Sequence, residues 1–163
     1  MLNRVYFDTW LLAGLVAKKS SERSDMKAML SKMTHGYEVV VPQVALGEVF
    51  AIVMKKNENK ADVQKRLVDL CDDLYKVANP KTGFPPPTTE IFQFARDLTA
   101  GDSQIKNMDA LIASHALTDP KSTRLITADK NLLNSTAVRK IESDLRDDGK
   151  REVELRIADG LGH

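Results

Sequence analysis

The 163-residue sequence is 42% hydrophobic and 29% charged, with a formal net charge of +1; these values suit one globular domain with a real core and exclude a fibrous or wholly disordered chain. No apolar run approaches the roughly 18 residues of a membrane span, and the N-terminus lacks a basic region followed by a long apolar segment, so the reading is a cytoplasmic protein with no membrane partner. Cys71 is the single cysteine, which excludes an internal disulfide and a four-cysteine zinc site and leaves it the role of a small apolar residue on a helix.

Residues 1–158 are expected to form the domain and 159–163 a short tail. Val5-Tyr6-Phe7 is an apolar run that reads as a buried strand, and Asp8 follows where that strand leaves the sheet. Leu11, Leu12, Leu15 and Val16 then share a helical stripe that fades in the polar segment Lys18 to Asp25. A second helical stretch covers Met26 to Met33. Tyr37 to Val41 is a β-branched strand stopped by Pro42, which cannot donate to a ladder.

From Val44 to Lys56, Leu46, Val49, Phe50 and Val53 recur at helical spacing with Glu48 among them. Lys60 to Val77 is the clearest amphipathic helix, through Val63, Leu67, Leu70, Leu74 and Val77, and the two are expected to form a helical hairpin across Asn57 and Asn59. Asn79 to Pro87 is rich in proline and reads as a connector. Thr88 or Thr89 caps a helix carrying Ile91, Phe92, Ala95 and Leu98 and ending at Gly101. Ile105 to Leu117 is a helix whose regular part opens at Asp109. Thr123 to Thr127 is a strand delivering Asp129, Asn134 to Asp148 a charged helix, and Glu152 to Ile157 a last strand. The resulting alternation, β-α-β-α-α-α-α-β-α-β, predicts an α/β fold with a parallel, helix-covered sheet.

In such a sheet the crossover helices run antiparallel to the strands, so helix starts and strand ends meet at one edge. Asp8, Glu48, Asp109 and Asp129 fall there by separate arguments, each beside apolar neighbours that draw it toward the interior. Four carboxylates together repel and raise one another's pKa, so a counter-ion is required. A hard divalent ion with oxygen ligands, magnesium or manganese, fits a set lacking histidine and cysteine, and such a site suits hydrolysis of phosphodiesters. With four acids neutralised, the remaining side chains carry a surplus of five positive charges, a modestly basic surface. No phosphate-binding glycine loop is present, which argues against nucleotide triphosphate hydrolysis.

These residues resemble the PIN-domain ribonucleases, and within them the VapC-type toxins of toxin–antitoxin pairs. The matching pieces are Val5-Tyr6-Phe7-Asp8-Thr9, Pro42-Gln43-Val44-Ala45-Leu46-Gly47-Glu48-Val49, Met108-Asp109-Ala110-Leu111-Ile112-Ala113-Ser114 and Leu125-Ile126-Thr127-Ala128-Asp129-Lys130, in family order over residues 1 to about 133. The resemblance implies a single PIN-like α/β/α sandwich in which Asp8, Glu48, Asp109 and Asp129 bind one or two Mg2+ or Mn2+ ions and Thr127 helps hold Asp129 or a metal-bound water. It also implies endonucleolytic cleavage of RNA, an antitoxin partner and a homodimer. Two departures stand out: Trp10 where members usually carry a small polar residue, and a longer segment from Asn134 to Asp148.

Plainer roles stand beside these. Asp8 and Asp129 can serve as helix caps, and Asp109 can simply favour a helix start. Asp102, after Gly101 in a turn, has local reasons to be there. His115 lies about 240° round its helix from Asp109 and reads as a packed or surface residue. Trp10 reads as a core anchor, with base stacking the sharper alternative, and Lys18, Lys19, Lys55 and Lys56 read as solvated unless they track phosphates. Haloacid-dehalogenase-like phosphatases lack support, since position 10 holds no second acid, and so do phosphoreceiver domains, which need paired acids after the first strand and a lysine after a late one. The remaining alternatives are an inactive PIN-like module binding RNA or protein, and an RNA-processing PIN nuclease outside any toxin–antitoxin pair.

Overall fold

Four short strands make one parallel sheet in the order β2-β1-β3-β4, with β1 at Asn3–Phe7, β2 at Tyr37–Val40, β3 at Ser122–Ile126 and β4 at Arg156–Ala158. This is a computed structural model of the chain, and it describes residues 3–56, 59–78 and 84–159. Val5 pairs with Val39 on one side and Arg124 on the other, and Leu125 pairs with Ile157. Successive strand residues point to opposite faces, yet Val5, Tyr6 and Phe7 are all buried. Both faces of β1 are therefore covered, which is why the strand reads as a continuous apolar run and not as an alternation.

The covering helices are α1 (Thr9–Leu15), α2 (Ser20–Thr34), α3 (Gln43–Lys56), α4 (Lys60–Ala78), α5 (Thr89–Gly101), α6 (Asn107–Thr118), α7 (Lys130–Leu133) and α8 (Thr136–Asp147). The expected α/β fold with a small parallel sheet between helices is the one observed. Leu11, Leu12 and Leu15 of α1, Leu46, Val49 and Val53 of α3, and Leu70 and Leu74 of α4 enter one core with the strands. On α1, Gly14 admits Met26 so closely that a Cβ there would lie 2.3 Å from its Cγ, so α1 and α2 meet through a glycine gap.

Three elements and one side chain differ from expectation. The polar segment after Lys18 is already helical from Ser20; Arg23, Met26, Met29 and Leu30 face inward while the other described side chains of α2 are exposed, so the buried stripe is too thin to register as amphipathic. The helix expected at Asn134 to Asp148 is α8, but a short helix that the sequence reading did not name, α7, precedes it and ends at Leu133; α8 begins after Ser135, whose hydroxyl accepts from the Val138 amide at 3.3 Å. The last strand is confined to Arg156–Ala158, because Leu155 packs into the core and its amide donates to buried Glu142 at 3.1 Å, while Val153 is exposed. Trp10 is not a core anchor; it is 40% exposed.

Part of the hairpin turn at Asn57 and of the proline-rich connector, and residues 160–163 of the tail, lie outside the described residues. Among the described residues no helix is long and apolar enough to cross a membrane.

Candidate metal centre

Asp8 follows β1 directly, and its amide extends the ladder by donating to the Ile126 carbonyl at 3.1 Å. It caps α1, with Oδ1 accepting from the Trp10 amide at 2.9 Å. Its other oxygen, Oδ2, accepts a short hydrogen bond from Thr127 Oγ1. The support of Asp8 thus comes from a backbone N–H, which any residue but proline supplies at position 10, and from a hydroxyl at the end of β3.

Thr127 ties two acids together. Completely buried, it donates to Asp8 and accepts from the Asp129 amide at 3.0 Å. Asp129 in turn caps α7, its Oδ1 accepting from the amides of Asn131 at 2.8 Å and Leu132 at 3.1 Å. Both Asp8 and Asp129 are caps, as the plain reading held, and a carboxylate held by one oxygen in a cap keeps lone pairs for other partners.

Asp109 is the third residue of α6, which packs on α3, the helix bearing Glu48. These four acids line one open cleft of about 460 Å³, together with Thr9, Trp10, Ala13, Ile52, Lys106, Asn107 and Met108. Asp8 is buried and the other three are half-buried, so only the first is drawn fully inside. Among the described residues no ion pair engages any of the four.

Their electrostatics follow. Burial pushes the Asp8 carboxyl above its usual range, with Asp129 and Glu48 adding to the rise and the bonds from Thr127 and the Trp10 amide opposing it. Asp109 is pushed up to about 6, chiefly by burial and then by Asp129 and Asp8. Acids that raise one another's pKa in this way are where a cation would relieve the repulsion.

One more residue belongs here, and sequence reasoning passed over it. Thr9 lines the same cleft, is only 7% exposed, and its hydroxyl is buried without a hydrogen-bond partner. Buried polar groups are almost always satisfied, so an orphan hydroxyl beside four acids points to a partner supplied from the cleft. No sequence signal marked it, because Thr9 opens a helix where threonine is unremarkable.

The donors are all oxygen, which suits magnesium or manganese. They line the cleft without closing into a shell: among the described residues no three His, Cys, Asp or Glu side chains cluster tightly enough to enclose an ion. Such openness fits magnesium, which keeps several waters and is usually held by one or two carboxylates.

The other candidates fall elsewhere. Asp102 closes α5 and is engaged locally, accepting from Ser135 Oγ at 2.9 Å and the Gln104 amide at 3.0 Å. His115 is a packed residue, 3% exposed, with its pKa lowered to about 4 by burial.

The sequence matches no protein-family model and no curated protein. Among solved structures the chain is similar to one in the crystal structure of VapBC2 from Rickettsia felis bound to a DNA fragment from their promoter, with a TM-score of 0.60 and 16% identity over 94% of this chain and 98% of that one. It is also similar to a chain of FitAcB from Neisseria gonorrhoeae, with a TM-score of 0.59 and 13% identity over 93% and 96%. At these identities the likeness is one of fold, and it extends over nearly the whole length of each chain.

Proposed function

We propose that this chain is a magnesium- or manganese-dependent endoribonuclease that hydrolyses RNA phosphodiester bonds, acting as a homodimeric toxin paired with an antitoxin. One observation carries the reading: Asp8, Glu48, Asp109 and Asp129, from four separate segments, line a single cleft without an ion-pair partner among the described residues. The toxin assignment is supported by two independent likenesses, the VapC-type sequence pieces and the fold shared with a chain of VapBC2.

Asp8, Glu48, Asp109 and Asp129 would hold the ion. When bound, it supplies a lowered pKa for water and charge stabilisation at the scissile phosphate. The chain's own residues set the frame. Thr127 and the Trp10 amide fix both oxygens of Asp8, so its carboxylate enters the reaction already oriented. Thr127 also holds the Asp129 amide, which fixes the spacing of those two acids through one hydroxyl. Asp109, pushed up to about 6 by burial and by its acidic neighbours, is the carboxyl that a bound cation would relieve most, and Thr9 offers a free hydroxyl toward whatever occupies the cleft.

The test is cleavage of a structured RNA such as a tRNA by wild type and Asp109→Asn, each with Mg2+, Mn2+ or a chelator. Wild type should cut only with metal, and Asp109→Asn should be slower by at least about a hundredfold, the upper end of what losing even a ligand's supporting partner costs. Equal rates in both proteins would sink the mechanism. Absence of cleavage by wild type would favour a PIN-like binding module instead.

A further inference from the structure

A second cleft of about 690 Å³ adjoins the acidic one, and the two share Trp10, Ala13 and Ile52 as a common rim. Their charges are opposite. The first is lined by four acids and one lysine, whereas the second is lined by Lys18, Lys56 and Arg66 against one acid, Glu22. These cations come from three places in the sequence: the turn after α1, the end of α3 and the middle of α4. On the ridge between the clefts stands Trp10, 40% exposed although its neighbours Leu11 and Leu12 are fully buried.

We propose that this ridge and the basic cleft behind it are the track for a single RNA strand, with one base stacked on the Trp10 ring and the phosphates flanking the scissile bond at Lys18, Lys56 and Arg66. The assignment rests on the nuclease reading above, since it takes the acidic cleft as the place of cleavage. Its physical content is the order of charges. A strand whose scissile phosphate lies at the acids through a cation needs positive side chains for the next phosphates, and the structure places them across one aromatic rim. Unpaired bases offer the π-faces that aromatic side chains use, while a duplex hides them. An acidic peptide would match the cations but would gain nothing from the tryptophan's position beside four carboxylates.

Trp10 is the only tryptophan in the chain, so its fluorescence reports on the ridge directly. The experiment titrates the full-length protein, in EDTA, with a short end-labelled single-stranded RNA of mixed sequence, following Trp10 emission and the anisotropy of the label. Trp10 emission should be quenched on binding. Trp10→Ala should weaken binding by about tenfold, within the range for loss of one base–aromatic stack, and Trp10→Phe should recover most of it. Lys18→Glu and Arg66→Glu should each weaken binding, and each lowers the slope of log affinity against log salt by about 0.7 or more, the value for one phosphate contact on a single strand.

Binding that leaves Trp10 emission unchanged and is indifferent to all three positions would overturn the track. So would an equal response to fully duplex RNA, or quenching by a protein encoded beside the chain when RNA gives none. Because no metal is present, the outcomes separate: intact ridge binding without cleavage after metal is added sinks the nuclease reading, whereas cleavage that ignores Trp10, Lys18 and Arg66 sinks the track alone.

Discussion

The helix α6 brings one acid to each edge of the sheet, and the two edges treat them in opposite ways. At the amino edge Asp119, just past the end of α6, accepts from Arg4 Nη1 at 3.1 Å, from buried Tyr6 Oη at 2.8 Å and from the Lys121 amide at 3.0 Å. Arg4 also pairs with Glu38 at 3.1 Å, and the buried guanidinium of Arg151 donates to the carbonyls of Ala116, Leu117, Asp119 and Ser122. Burial and then Asp119 hold the Tyr6 hydroxyl far above its ordinary pKa, so it stays a donor at any working pH. At the carboxyl edge Asp109 has no such company, and the charges that act on it, Asp129, Asp8 and Glu48, are all acids. A fold that neutralises carboxylates this thoroughly at one edge and leaves four in one cleft at the other is using the second edge for something besides stability.

The contrast makes a signed prediction: removing a charge at the amino edge should destabilise the metal-free protein, and removing one at the carboxyl edge should stabilise it. The largest effect is expected from Arg151→Met, which strips the donors from several buried carbonyls at once. A loss of about 3–5 kcal/mol is expected, in line with breaking buried charged networks, and urea unfolding measures it. A change below about 1 kcal/mol would show that this edge does not depend on its guanidinium.

His115, between the two acids on α6, comes next and acts through pH. Its folded pKa of about 4 lies below the ordinary 6.5, so the unfolded chain binds the extra proton. The stability due to its burial in the neutral form is therefore complete above pH 6.5 and is lost as pH falls toward 4. The full difference corresponds to about 3 kcal/mol. Replacing it by His115→Leu should flatten the acid-side decline, and an unchanged profile would remove His115 as its source. Smaller again is Asp119→Ala, which leaves Tyr6 Oη and Arg4 Nη1 without their acceptor and should cost about 2 kcal/mol.

The two edges were not equally legible in the sequence. Val5-Tyr6-Phe7-Asp8 announces a buried strand ending in an acid, and the spacing of Leu70, Leu74 and their neighbours announces α4, because apolar periodicity reports directly on what is buried. The acids of the cleft were legible for a related reason: each is the residue that interrupts an apolar run at a place where topology brings ends together. The amino-edge network was not, since Arg4, Asp119 and Arg151 look like ordinary surface charges until the fold juxtaposes them. Trp10 was misread because the stripe of α1 is Leu11, Leu12 and Leu15, and a residue one step before it lies about 100° round the helix, on the flank facing the clefts. Arg66 and Thr9 were not singled out by the sequence reading; only the cleft that Arg66 shares with residues of α1, and an unpartnered hydroxyl, pick them out.

The smallest expected effect is the one that discriminates best. In metal-free protein Asp109 has its folded pKa raised to about 6 from 3.8, by burial first and then by Asp129 and Asp8, so its ionisation opposes folding. Its contribution is most favourable below pH 3.8 and is lost as pH rises through 6, the reverse of His115 over nearly the same interval. Asp109→Asn removes that loss, and because the group is half-buried and screened, the gain at pH 7 is about 1 kcal/mol and not the larger figure that an unscreened shift would imply. Adding Mg2+ should reverse the order: a ligand that binds only the folded state stabilises wild type by about 2.7 kcal/mol at a hundred times its Kd, and the variant by less. Melting curves of the two proteins with chelator and with Mg2+ should therefore cross. Curves that keep one order in both conditions would mean that the cleft's unneutralised charge is not reserved for a cation.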